Sequence, residues 1–269
     1  MTPTLGHVVL VGAGNMGGAM LRRWPSDARI TVVDPAPSAP ILSHMDAAGI
    51  AHATSPDGVA PADILVLSVK PQLVADVLPG LRGLVAEGTT AVSTIAGTTM
   101  ETLRGALGCE RIVRTIPNTP AMVGEGTTAA FASGSVDAMA RERVEALLRR
   151  SGAVVWLDDE ADIDRATAVS GSGPAYVFHL VEALAAAGAS IGLGDEQARA
   201  LARQTVIGAG ALLAQSDEPA GTLRERVTSK GGTTAAALGV LMADDGLRTL
   251  MQRAVAAAHD RAIELGSGE

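Results

Sequence analysis

Hydrophobic residues follow two alternating patterns along the first half of the chain. Short runs of valine, isoleucine and leucine recur, and each of the first four is followed by a stretch with helical spacing of its apolar positions. These patterns predict strands at 8–11, 30–33, 64–67 and 90–93, and helices at 15–23, 39–48, 72–85 and 100–107. Strands that alternate with helices indicate a mostly parallel sheet with helices packed on it.

The strand pattern stops near residue 158. Further runs at 111–114, 127–131 and 152–156 extend the predicted sheet, and 136–150 has the spacing of an exposed amphipathic helix. Beyond Asp158 only alanine-rich helical stretches remain, at 175–187, 195–215 and 234–265. We predict an α/β fold with an N-terminal Rossmann-like, mostly parallel sheet in residues 1–158 and an all-α helical domain in residues 159–269.

Composition narrows the classes of function. The chain has 269 residues, is 47% hydrophobic and carries a formal net charge of −8, which argues against a nucleic-acid partner. No apolar stretch reaches the ~18 residues of a membrane span, and we expect neither a signal peptide nor a membrane partner. The single cysteine, Cys109, is typical of a reducing compartment, so we expect a cytoplasmic protein. Five scattered histidines have no metal-ligand spacing, and no metal site is expected.

A glycine-rich turn links the first predicted strand to the first helix. Gly12, Gly14 and Gly17 have the spacing of a dinucleotide fingerprint, and Asp34 follows 22 residues after Gly12 at the end of the second strand. An acidic residue there accepts hydrogen bonds from the adenosine ribose, which favours NAD over its 2′-phosphorylated form. The alternatives are a tight turn without a ligand and, for Asp34, a solvated residue before Pro35.

Other candidate cofactor residues follow neighbouring strands. The carboxyl ends of parallel strands share one sheet edge, where ligands bind in doubly wound sheets. Lys70 is therefore expected near phosphate or ribose unless it is a solvated surface lysine, and the loop after the fourth strand is expected at the nicotinamide. The full set of predicted cofactor-binding residues is Gly12, Ala13, Gly14, Asn15, Met16, Gly17, Asp34, Ser68, Val69, Lys70, Pro71, Ala96, Gly97 and Asn118.

A second glycine-rich helix entrance lies far downstream, at residues 229–234. Its sequence, Ser-Lys-Gly-Gly-Thr-Thr, opens an alanine-rich helix. The N-terminus of a helix exposes unpaired N–H groups and the positive end of the helix dipole, so this entrance would suit a substrate carboxylate. The alternative is an ordinary capped helix.

Five motifs in this order resemble one family. They are Gly12–Gly17, Val69–Gln72, Pro117–Pro120, Ser170–Tyr176 and Val227–Thr234, and together they span nearly the whole chain. The chain is similar to pyrroline-5-carboxylate reductases, which transfer a hydride from NAD(P)H to a cyclic imine and produce L-proline. The resemblance implies a helical dimerisation domain, so that the chain forms a homodimer, with dimers assembling further into decamers.

The resemblance also implies roles at the second entrance. Thr234 is the candidate catalytic residue, expected to hydrogen-bond the ring nitrogen of the small-molecule substrate. The residues Ser229, Gly231, Gly232 and Thr233 are the candidate substrate-binding set. The family implies NADP(H), whereas Asp34 makes NAD(H) plausible as well.

Two other functions fit parts of the pattern. A 3-hydroxyacid dehydrogenase of the same two-domain plan would need a catalytic lysine in the helical domain, and Lys230 is the only one present there. A non-catalytic dinucleotide sensor would use the Rossmann half alone. It would leave the second glycine-threonine entrance without a role.

Overall fold

The fold is known from a computed structural model that describes residues 4–25 and 28–267. Contacts between residues divide the chain into two compact units, 1–172 together with 258–269, and 173–257. The first unit continues to Ser172 along the chain, so it includes the short helical segment that follows the last strand. The predicted domain boundary at 158/159 stays a prediction.

One eight-stranded sheet organises the first unit. Its strands β1 to β8 are His7–Val11, Arg29–Val33, Ala51–Ala53, Ile64–Leu67, Thr90–Ser93, Ile112–Pro117, Gly126–Ala132 and Gly152–Trp156. Their order is β3-β2-β1-β4-β5-β6-β7-β8, and every pair is parallel except the antiparallel β6 and β7. The predicted Rossmann-like, mostly parallel sheet is confirmed. Strand β3 was missed because its three residues are Ala-His-Ala, without an apolar run.

Both faces of the central strands are buried. In β1, Val8 and Leu10 pack on one side of the sheet, whereas Val9 and Val11 pack on the other. A strand covered on both sides needs apolar residues at every position, which explains the unbroken Val-Val-Leu-Val run. This rigid centre positions the loops that follow β1, β2, β4 and β5.

Six helices belong to this unit before Ser172. Helices α1 to α6 are Asn15–Leu21, Ala39–Ala48, Val74–Val77, Met100–Leu107, Ala138–Leu148 and Asp162–Ala166. The prediction of one helix at 72–85 was wrong: 3₁₀ turns at Pro71–Leu73 and Leu78–Leu84 flank the four residues of α3. Pro79 lacks a backbone N–H and Gly80 and Gly83 are poor helix formers, so a continuous α-helix is disfavoured.

The second unit is helical throughout its regular elements, as predicted. Helices α7 to α10 are Gly173–Ser190, Asp195–Ala214, Ala220–Arg226 and Thr233–Leu241, and α11, Leu247–Ser267, begins in this unit. Large apolar side chains of α7 and α8 are exposed, with Phe178 and Leu212 each at 64%. Within the described residues, no helix combines the length and apolarity needed to cross a membrane.

Candidate functional site

The turn between β1 and α1 is shaped by glycines. Gly12 has a positive φ of 88°, and a Cβ atom there would lie 2.6 Å from the carbonyl oxygen of Ser68 on β4's loop. A Cβ at Gly17 would overlap the Gly12 carbonyl oxygen. Both positions therefore require glycine, one for backbone conformation and contact, the other for close packing of α1 on the turn.

Gly14 differs from these two, because its surroundings are open. It is the N-cap residue of α1, no atom lies within 4 Å of a Cβ built on it, and no side chain caps the helix start. The N–H groups of the first turn can therefore be approached by an anion. This is the arrangement by which a fingerprint glycine admits a pyrophosphate.

The carboxylate of Asp34 is bonded to backbone on two sides. Its Oδ2 accepts a 2.7 Å hydrogen bond from the Ala13 N–H, and its Oδ1 accepts a 2.9 Å bond from the Ala36 N–H. Asp34 thus joins the glycine-rich turn to the loop after β2. Whether it also bonds a ribose stays a prediction.

A cavity of about 580 Å³ lies between α1 and the loop after β2. The glycine turn contributes Gly14, α1 contributes Asn15, the residue after α1 is Arg22, and the segment after β2 contributes Asp34 and Ser38. Its position beside an open helix start and an acidic residue at the end of β2 fits the adenosine part of a dinucleotide. Arg22 gives no signal in the sequence, because it precedes Asp34 by 12 residues and only the fold brings both to one cavity.

The loops after β4 and β5 hold further predicted cofactor residues. Ser68 accepts a 3.1 Å hydrogen bond from the Thr94 hydroxyl, which ties the two loops together. Lys70 and Ala96 are exposed, and Gly97 has a positive φ of 71°. The carboxyl ends of these strands therefore meet at one edge, as the parallel sheet requires. Gly97 is half-buried there, since a Cβ on it would lie 2.9 Å from the carbonyl oxygen of Leu265.

Asn118 is buried, and its side chain makes one hydrogen bond as a donor and one as an acceptor, both to backbone groups. Its Nδ2 donates to the Ser170 carbonyl at 2.9 Å, and its Oδ1 accepts from the Thr127 N–H at 2.8 Å. The side chain therefore links the end of β6, the start of β7 and the π-helical turn Thr167–Gly171. It shapes the edge of the sheet, and a direct cofactor contact stays a prediction.

Glu160 is a second residue that sequence reasoning missed. Its Oε1 lies 2.5 Å from Nη1 of Arg114 and accepts a 2.8 Å hydrogen bond from the Met100 N–H. The Arg114 side chain is only 6% exposed. Because Met100 begins α4, directly after the loop that carries Ala96 and Gly97, this ion pair fixes one end of that loop. Glu160 is one of several acidic residues in its segment, and this local pattern does not indicate an ion pair with a buried arginine.

The second glycine-rich entrance lies entirely in the second unit. Gly231 has a positive φ of 71°, Gly232 is the N-cap residue of α10, and no side chain caps this helix. A Cβ at Gly232 would overlap the Ser229 hydroxyl oxygen. Helix α10 begins at Thr233, one residue before the predicted stretch 234–265, but that stretch is divided, since α10 ends at Leu241 and α11 begins at Leu247 after a turn that contains Gly246. Thr234 is half-buried and Lys230 exposed. In the part of the chain that the structure describes, no three acidic, histidine or cysteine side chains cluster as metal ligands.

Comparison with known proteins identifies the family. Residues 160–265 match the family described as pyrroline-5-carboxylate reductase dimerisation, and residues 7–97 match the family of coenzyme F420-dependent NADP oxidoreductases. The chain is 39% identical to pyrroline-5-carboxylate reductase of Pseudomonas aeruginosa, covering 96% of both chains. The chain belongs to the pyrroline-5-carboxylate reductase family. The family member of Pisum sativum is 36% identical, covering 97% of this chain and 96% of the relative.

Solved structures of pyrroline-5-carboxylate reductases have the same fold. The structure from Coxiella burnetii superposes with a TM-score of 0.89 at 34% identity and covers 98% of this chain and 99% of that one. The structure from Plasmodium falciparum, solved with NADP bound, has a TM-score of 0.81 at 27% identity with the same coverage. Both likenesses extend over the sheet and the helical segment alike.

The ion pair of Arg114 and Glu160 yields a stability prediction. Glu160→Ala leaves a buried guanidinium without its carboxylate, so the free energy of unfolding should fall by about 2–4 kcal/mol. The measurement is urea unfolding at fixed protein concentration. Glu142→Ala, which removes an exposed carboxylate from α5, is the matched control and should change it by less than about 0.5 kcal/mol. Equal effects of the two substitutions would contradict a structural role for the pair.

Proposed function

We propose that this chain catalyses the reaction of its family, the reduction of 1-pyrroline-5-carboxylate to L-proline with a hydride from NAD(P)H. The observation that carries the proposal is that the helices at both glycine-rich motifs, α1 and α10, begin without a side-chain cap, in a chain related over 96% of its length to these reductases. A dinucleotide and a substrate carboxylate are the two anions that this reaction brings together.

The cofactor is NADP(H), as the match of residues 7–97 to NADP oxidoreductases and the NADP-bound relative support. The glycine-rich turn fits the group, since Gly14 leaves the backbone of α1 open and the adjoining cavity of about 580 Å³ can take the adenosine part. The residues Gly12 to Gly17 would hold the pyrophosphate. The residues at 68–71 and the Ala96–Gly97 backbone would line the site of the nicotinamide half of the cofactor. NAD(H) stays open as a second cofactor.

The substrate would bind at α10. We assign its carboxylate to the N–H groups of Gly231 and Thr233 and to the Ser229 hydroxyl, and its ring nitrogen to the Thr234 hydroxyl. The Gly232 N–H donates to the Ser229 carbonyl at 3.0 Å, so Gly232 would contribute by its lack of a side chain. Glycines at 231 and 232 allow the carboxylate to approach the backbone closely. Lys230 is exposed, which favours a solvent-facing position over the catalytic role that a hydroxyacid dehydrogenase would require.

The chemistry needs orientation more than acid-base catalysis. The reduced nicotinamide supplies the hydride, and a protonated imine carbon is already electrophilic. The protein has to hold the imine carbon in place and stabilise the ring nitrogen as it becomes an amine, for which one hydroxyl and the dipole of α10 suffice. This accounts for a site without a paired histidine and carboxylate among its assigned residues.

The active form is proposed to be a homodimer formed through the helical domain, with such dimers assembling further into decamers. Residues 160–265 match the dimerisation family, and exposed apolar side chains such as Phe178 and Leu212 on α7 and α8 need a covering surface. A cytoplasmic location is part of this proposal and agrees with the free thiol of Cys109.

The function is tested by following the oxidation of NADPH and of NADH, in parallel, with and without 1-pyrroline-5-carboxylate. Substrate-dependent oxidation that yields L-proline supports the proposal. A 3-hydroxyacid assayed with NAD⁺ is the control for the dehydrogenase alternative. Nucleotide binding without turnover of either substrate would contradict the proposal and favour a sensor.

Removal of the proposed catalytic hydroxyl should reduce turnover. Thr234→Ala is expected to lower kcat/KM by about 1–3 kcal/mol of transition-state stabilisation, and Thr234→Ser should restore most of it. Steady-state kinetics with 1-pyrroline-5-carboxylate measures this, while the Kd of NADPH stays unchanged. Thr233→Ala, which keeps the backbone N–H, is the matched control. An unaltered kcat/KM in Thr234→Ala would remove this hydroxyl from the mechanism.

Charges on the apolar surface of α7 and α8 should weaken the dimer. Phe178→Glu combined with Leu212→Glu is expected to shift the protein to a monomer at micromolar concentration, because unpaired carboxylates resist burial. Light scattering coupled to gel filtration measures the mass. Met139→Glu introduces the same charge at an apolar residue of α5 that is 68% exposed and should leave the mass unchanged. A double variant that remains dimeric would exclude these helices from the interface.

A further inference from the structure

The cavity between α1 and the loop after β2 contains two opposite charges. Asp34 stands on one wall and Arg22 on another, and both line the same space of about 580 Å³. An acidic residue after β2 favours an unmodified ribose, whereas an arginine near it accommodates a 2′-phosphate. The cavity therefore holds one residue that favours NADH and one that favours NADPH. The contacts that each side chain already makes indicate which of the two sets the cofactor preference.

The carboxylate of Asp34 is already hydrogen-bonded to the backbone. Each of its two carboxylate oxygens accepts a backbone hydrogen bond, from Ala13 at 2.7 Å and from Ala36 at 2.9 Å. Both donors hold the carboxylate toward the glycine-rich turn and the loop after β2. These contacts give Asp34 a structural role that does not depend on a ribose.

Arg22 has no such partner. It follows α1 on the same face as Asn15, Gly18 and Ala19, with i, i+3, i+4 and i+7 spacing, and all four line the cavity. Within residues 4–25 and 28–267, its guanidinium makes neither an ion pair nor a hydrogen bond. A cation with five donors thus stands at the cavity wall without an anion.

Ser38 adds a hydroxyl to the same cavity. It is the N-cap residue of α2, but its side chain makes no capping hydrogen bond and so remains available to a ligand. Serine and arginine side chains together are donors suited to a phosphate monoester, which offers three acceptor oxygens. Ser38 lies four residues after Asp34 and Arg22 lies at the C-terminal end of α1, and both line the cavity together with Asp34.

We propose that Arg22, assisted by Ser38, binds the 2′-phosphate of NADPH and determines the cofactor preference of this chain, with Asp34 acting as a brace for the glycine-rich turn. This inference rests on the proposed function, since it assumes that the cavity takes the adenosine part of a dinucleotide. Arg22 lies upstream of Asp34 in the sequence, on the opposite wall from the loop after β2. The preference for NADPH or NADH is therefore set by the residue that follows α1.

Equilibrium binding without substrate tests the assignment. The Kd values of NADPH and NADH are measured by nucleotide fluorescence for the full chain and for Arg22→Ala. We expect the Kd of NADPH to rise about tenfold or more and that of NADH to change less than about twofold, because only NADPH carries the phosphate. Arg22→Lys should recover part of the loss, since lysine keeps the charge without the bidentate geometry.

A control variant separates a local contact from a change in net charge. Arg29→Ala removes the same charge at the start of β2, away from the carboxyl edge of the sheet, and should leave both Kd values unchanged. Added salt should weaken NADPH binding more than NADH binding in the unsubstituted protein, and Arg22→Ala should reduce that difference.

Two results would overturn the inference. Equal loss of NADPH and NADH affinity in Arg22→Ala would show a structural role for the arginine, and unchanged affinities would show that other groups bind the phosphate. Either result, together with normal reduction of 1-pyrroline-5-carboxylate by the unsubstituted protein, leaves the proposed function in place. Failure of the unsubstituted protein to bind either nucleotide would contradict the proposed function itself.

Discussion

The cofactor site depends on the absence of side chains where β1 turns into α1. Gly12 lies against the backbone of the loop after β4, and Gly17 lies against Gly12, so neither position has room for a side chain. Only Gly14 faces open space, and the N–H groups of α1 are accessible beside it. Any larger residue at 12 or 17 would move the helix start and, with it, the anion-binding backbone.

Charged side chains brace the loops around that turn. Asp34 ties the turn to the loop after β2, and Glu160 ties Arg114 to the first residue of α4. These contacts cross long stretches of sequence and use the side chain as a link between backbone segments. In doubly wound sheets, ligands bind at the carboxyl ends of the strands, and these contacts fix the loops around those ends.

The helical unit exposes large apolar side chains. A chain with only 2% aromatic residues packs small aliphatic side chains, yet Phe178 and Leu212 remain largely exposed on α7 and α8. Exposed apolar residues of this size are typical of surfaces that associate. The same unit carries the glycine-rich entrance to α10, where we propose that the substrate binds.

The sequence alone determined the strands of the sheet apart from β3, the starts of α1 and α10, and the family, because each is encoded by a local pattern of apolar spacing or glycine. The helical spacing at 72–85 gave a wrong prediction for α3, although Pro79 and the glycines of the same stretch disfavour a continuous helix. Only the tertiary structure placed Arg22 in the cavity with Asp34 and paired Glu160 with Arg114. The physical reason is that the orientation of α1 and the packing of the loops bring these residues together. Those depend on contacts between distant segments, which a local pattern does not encode.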